Sequence, residues 1–77
     1  MNQAPVPKNT IEVEVLNEYF DFLDNGYQVR VAHFDDDLWF MSLVHRWNKN
    51  FIIIKYKNGA ATIEKNRKVV KRIPSNF

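Results

Sequence analysis

The sequence predicts an all-β protein, a small five-stranded antiparallel barrel preceded by an N-terminal cap segment, helical or extended. Three observations carry that expectation. Beyond Gly26 the apolar residues recur with period two, turn residues interrupt the pattern at short spacing, and Asn58-Gly59 supplies a strong two-residue hairpin signal. Seventy-seven residues leave room for one domain with one small core.

The expected organisation is a flexible arm over 1–9, a cap segment over 10–25, the barrel over 26–73 and a tail over 74–77. The arm is polar and holds Pro5 and Pro7. From Thr10 a helical period sets in. Ile11, Val15, Leu16, Tyr19, Phe20, Phe22 and Leu23 fall on one broad side, and Glu14, Asn17, Glu18, Asp21 and Asp24 on the other. Thr10 is placed to cap the start, and Gly26 to take the left-handed stop position. Glu12 and Val13 misfit the helical pattern, and Ile11 to Val15 also alternates with period two. The cap is therefore expected as a helix or a strand, with the helix written most clearly over 16–24.

Strands follow at Tyr27–Phe34, Leu38–Trp47, Phe51–Lys57, Ala60–Glu64 and Val69–Ile73, the last stopped by Pro74. Leu38, Phe40, Ser42 and Val44 share one face of the second strand, and Trp39, Met41, Leu43 and Trp47 share the other. Neither face is polar, so something must cover the outer one. The cap segment, through Leu16, Tyr19, Phe20 and Leu23, is the natural cover, with Trp39 and Trp47 beneath it.

Charge is distributed unevenly. Residues 1–44 carry two cations against eight acids, a net −6, whereas residues 45–77 carry nine cations against one acid, a net +8. Such asymmetry points to an anionic partner for one face or a cationic partner for the other.

Gly26-Tyr-Gln-Val-Arg-Val-Ala-His-Phe34, Asp35-Asp36-Asp37, Leu38-Trp-Phe-Met-Ser-Leu-Val44, Phe51-Ile-Ile-Ile-Lys-Tyr-Lys-Asn-Gly59 and Val70-Lys-Arg-Ile73 follow one another as in the Tudor-like group of SH3-like barrels, which this region resembles. The resemblance implies a non-catalytic, chromatin-type reader of a methylated or basic peptide, binding through an aromatic cage between barrel loops. It would place an incomplete cage at Phe34, Phe40 and Tyr56, with Asp35, Asp36 and Asp37 adding negative potential. A fourth ring would fall near Thr62, which is not aromatic.

Two other functions are read from the residues themselves. The alternative is sequence-independent binding of a DNA or RNA backbone by the basic C-terminal hairpin, through Lys55, Lys57, Lys65, Arg67, Lys68, Lys71 and Arg72. The third is a protein-interaction or inhibitor role through the apolar set Trp39, Met41, Leu43 and Trp47.

Catalysis is not expected. There is no cysteine, no phosphate loop rich in glycine, and no carboxylate pair placed to form a triad or zinc site with His33 or His45. Three consecutive aspartates cannot all converge on one ion, so neither metal nor cofactor is expected. The expected partner is a protein or modified peptide, or DNA or RNA, with no membrane involved. The chain is read as a monomer or weak homodimer in an intracellular compartment, nuclear if eukaryotic and otherwise cytoplasmic.

Overall fold

Asn9, Glu12 and Lys8 start the helix together. In the computed structural model, which describes residues 4–75, Asn9 is the N-cap of α1 (Thr10–Asp24) and its Oδ1 accepts from the Glu12 N–H at 2.9 Å. The Glu12 side chain turns back so that Oε1 accepts from the Lys8 N–H, also at 2.9 Å. This reciprocal arrangement satisfies backbone donors that have no partner inside the helix. The cap therefore falls one residue before Thr10, and the ambiguous stretch from Ile11 to Val15 is helical. At the other end the Asn25 N–H donates to the Phe22 carbonyl, and Gly26 follows at φ 93°.

Five strands follow: β1 (Tyr27–Phe34), β2 (Leu38–His45), β3 (Phe51–Lys57), β4 (Ala60–Lys65) and β5 (Lys68–Ile73). They form one antiparallel sheet in the order β1-β2-β3-β4-β5. Asn58 and Gly59 both have positive φ, 49° and 86°, as a type I′ hairpin turn requires. Asn66 and Arg67 adopt the same left-handed region, at 51° and 75°, and close the β4–β5 hairpin without a glycine. The register shifts between Val29 and Val31 on β1, and again where Ile63 and Glu64 face Lys71 and Val69, so that Arg30 and Val70 have no cross-strand partner.

The core lies between α1 and one face of the sheet. Val15, Leu16 and Tyr19 pack against Ala32, Trp39, Met41, Leu43, Ile52, Ile54, Tyr56, Ala61, Ile63 and Ile73, all of them buried. Each large apolar side chain removed from water there contributes roughly 1.5–3 kcal/mol, which is what fixes α1 to this face. Period two does the rest, because it puts every second residue of β2, β3 and β4 on the covered side.

Two expectations are corrected here. The sheet is not closed: β1 and β5 lie at its two ends, and the face of Leu38, Phe40, Ser42 and Val44, expected as barrel interior, is the face that α1 leaves uncovered. The helix fills the place that a second wall of the barrel would occupy. Trp39 does lie beneath α1, but Trp47 is past the end of β2 and 78% exposed, and Phe20 is 46% exposed on the outer side of the helix.

Candidate functional site

Phe34, Phe40 and Tyr56 are not brought together. Phe34 packs on the core side, edge-on to Trp39 at 5.7 Å and to Tyr19 at 6.0 Å between ring centroids. Tyr56 is 1% exposed, its ring is 4.5 Å from Trp39, and its hydroxyl donates to Glu12 Oε2 at 2.7 Å. Phe40 stands on the opposite face, because the register pairs Trp39 with Tyr56 and Phe40 with Lys55. A ring on one side of a sheet cannot share a cage with rings on the other.

The acidic turn is already engaged. Lys8 Nζ lies 2.8 Å from Asp36 Oδ1 and 3.3 Å from Asp37 Oδ1, and the two hydrogen bonds hold the ammonium well above the ordinary lysine range. Asp35 Oδ1 accepts from the Asp36 N–H and shapes the turn itself. Lys8 thus ties the arm to the β1–β2 turn. The first three residues of that arm lie outside the described residues.

Trp39, Met41 and Leu43 present no surface to a partner, since all three are buried under α1. Of that set Trp47 alone is outside. It stands on the β2–β3 loop with the Arg46 guanidinium 5.5 Å from its ring centroid and His45 at 5.9 Å.

The seven basic residues divide by what they meet. Lys71 lies on the helix side of β5, bonded to Glu18 and raised above the usual lysine range by that bond. Lys55 Nζ is 3.6 Å from Glu64 Oε2, a loose and exposed pair. Among the described residues Lys57, Lys65, Arg67, Lys68 and Arg72 form no ion pair. Lys65 and Lys68 are cross-strand neighbours at the hairpin end, next to Arg67 in the turn. Two like charges placed opposite each other are unfavourable unless an anion lies between or beside them.

Cross-strand register also assembles a set that sequence reading did not name. His33 pairs with Phe40, Phe40 with Lys55, Lys55 with Thr62 and Thr62 with Arg72. The five residues form one row across all five strands of the uncovered face. The Asn58-Gly59 turn fixes Lys57 opposite Ala60 and hence Lys55 opposite Thr62, so this part of the row was recoverable from the sequence. Small side chains leave a shallow recess of about 220 Å³ lined by Lys55, Lys57, Ala60, Ala61 and Thr62. A second, of about 380 Å³, is lined by Val69, Val70, Lys71, Arg72 and Ser75. Cations around a shallow recess suit a phosphate group, which needs hydrogen-bond donors and positive charge.

Among the described residues no three His, Asp or Glu side chains cluster to hold a metal ion, and no helix is long and apolar enough to cross a membrane. No family model, no curated protein and no solved structure matches the chain.

Proposed function

We propose that this chain is a non-catalytic binding module for the phosphate backbone of DNA or RNA. One observation carries the reading: Lys57, Lys65, Arg67, Lys68 and Arg72 are exposed and unpaired by any described acid, Lys57 and Arg72 on the sheet face that α1 leaves uncovered and the other three at the end of the β4–β5 hairpin. The molecule's acids are largely elsewhere. Glu14, Asp21 and Asp24 are exposed on α1, Glu18 is held by Lys71, and Asp36 and Asp37 are held by Lys8. A phosphate chain is drawn to the sheet side and repelled from the helix side.

The test is fluorescence anisotropy of a labelled oligonucleotide over a salt series. Binding should weaken steeply with salt, with a log–log slope of roughly −0.7 to −0.9 for each phosphate neutralised. The double variant Lys57→Glu/Arg72→Glu should flatten that slope by about 1–2 and weaken binding at low salt. Affinity that ignores both salt and charge reversal would defeat the reading. A Tudor-like relationship is likewise a proposal, supported by the order and spacing of strands and turns.

A further inference from the structure

We infer that the ligand is a single strand laid across the sheet, with a base stacked on Phe40 and its phosphates beside Lys55 and Arg72. This rests on the nucleic-acid reading and narrows it. The row His33–Phe40–Lys55–Thr62–Arg72 alternates a donor, a ring, a cation, a hydroxyl and a second cation along one line across the strands. Neighbouring strands are about 4.8 Å apart, so the row extends roughly 19 Å, a path for a few nucleotides. Phe40 is half-buried on the face that α1 leaves open, between His33 and Lys55 rather than among apolar neighbours in its row.

A ring in the middle of such a row has no use for duplex. In a duplex the base faces are stacked on one another and only phosphates and groove edges are presented. In a single strand the faces are free, and stacking on an aromatic side chain strengthens binding by about tenfold per base without depending on which base it is. The phosphates between successive bases then meet cations on the same surface: Lys55 beside the first recess, where a phosphate competes with its loose 3.6 Å pair to Glu64, Arg72 beside the second, and Thr62 offering its hydroxyl between them. The helix offers no alternative entry to a duplex groove. Its outer side carries Glu14, Asp21 and Asp24, and its other side is spent in the core.

The experiment compares three labelled probes by anisotropy at one moderate salt concentration: a short oligothymidine, an abasic strand of the same length and charge, and a duplex of that length. The oligothymidine should bind about tenfold more tightly than the abasic strand, and more tightly than the duplex. Phe40→Leu, which keeps an apolar side chain but no ring, should erase the tenfold difference and leave the abasic affinity unchanged. Melting temperature and the fluorescence of buried Trp39 check that this variant folds; if it does not, the abasic comparison on the unaltered chain decides alone. Equal affinity for thymidine and abasic strands, or a preference for duplex, overturns the single-strand inference while leaving backbone binding intact. Failure of all three probes overturns both.

Discussion

The Tyr56 hydroxyl donates a 2.7 Å hydrogen bond to Glu12 Oε2, joining two residues 44 positions apart inside the core. Glu12 is fully buried, and its other oxygen caps the helix through the Lys8 N–H. One carboxyl group therefore closes the start of α1 and docks that start onto β3. A buried polar group is tolerated when its bonds are made and costly when one is removed.

Tyr56→Phe should consequently destabilise the fold by about 1–3 kcal/mol, although it removes a single oxygen. Glu12→Ala should cost more, because it loses the cap, the docking bond and core volume together. Urea unfolding of the two variants and their double mutant measures the coupling, which should exceed about 0.5 kcal/mol. Additive effects would mean that the bond contributes nothing.

Alkaline pH should unfold the protein more readily than the charge composition alone suggests. Burial, and then the bond to Glu12, push the Tyr56 phenol above its ordinary value of 10.0, and burial raises Tyr19 from the same value. A group with a raised folded pKa keeps its proton longer when folded than unfolded. Its contribution is whole below pH 10 and is lost as pH rises from there through the folded value. Lys71 and Lys8, both raised above 10.5 by carboxylate partners, act in the same direction at higher pH. Tyrosinate absorbance and circular dichroism followed upward from pH 9 should show the two phenols titrating with unfolding. Tyr56→Phe should make the loss above pH 10 shallower.

Gly26 and Gly59 should respond differently to alanine. Both have positive φ, 93° and 86°, where a side chain costs about 1 kcal/mol. Around Gly59 there is open space, whereas a Cβ on Gly26 would lie 2.8 Å from His45 Nε2, and that nitrogen is 3.1 Å from the Asn25 carbonyl. Gly26→Ala should therefore cost more than Gly59→Ala, by up to about 1–2 kcal/mol. Adding His45→Ala should narrow the gap. Thermal unfolding of the four variants resolves it.

Arg67 occupies a left-handed turn position, φ 75°, that glycine takes with less strain. Arg67→Gly should raise stability by about 0.5–1 kcal/mol and at the same time weaken oligonucleotide binding and flatten its salt dependence by about 1. Chemical denaturation and an anisotropy salt series read the two effects separately. A variant that binds as tightly as before would remove Arg67 from the interface.

Much of the sheet was legible because turn chemistry and period two agree: β1 and β3 end where the sequence places them. The second strand was read two residues too long, since Arg46 and Trp47 continue the alternation while the backbone has already turned. Which face is inside was harder to read. β2 and β3 are apolar on both faces, so parity alone does not distinguish a closed barrel from an open sheet filled by a helix. Glu12 was the decisive misfit. It interrupts the apolar side of the helix because its partner, Tyr56, comes from a distant strand that no local pattern can reveal. The expected cage failed for a local reason, since strand alternation puts Phe40 on the face opposite Phe34 and Tyr56. The row through Phe40 needs only cross-strand register, of which Asn58-Gly59 fixes the step from Lys55 to Thr62.

An open sheet exposes two rims of unpaired amides that invite other chains to add strands. Here each rim is interrupted by a residue outside the ladder, Arg30 on β1 and Val70 on β5. A local kink on both borders spoils the straight template that fibril growth requires. The fold can thus leave one broad wall bare without inviting copies of itself to polymerise along its margins.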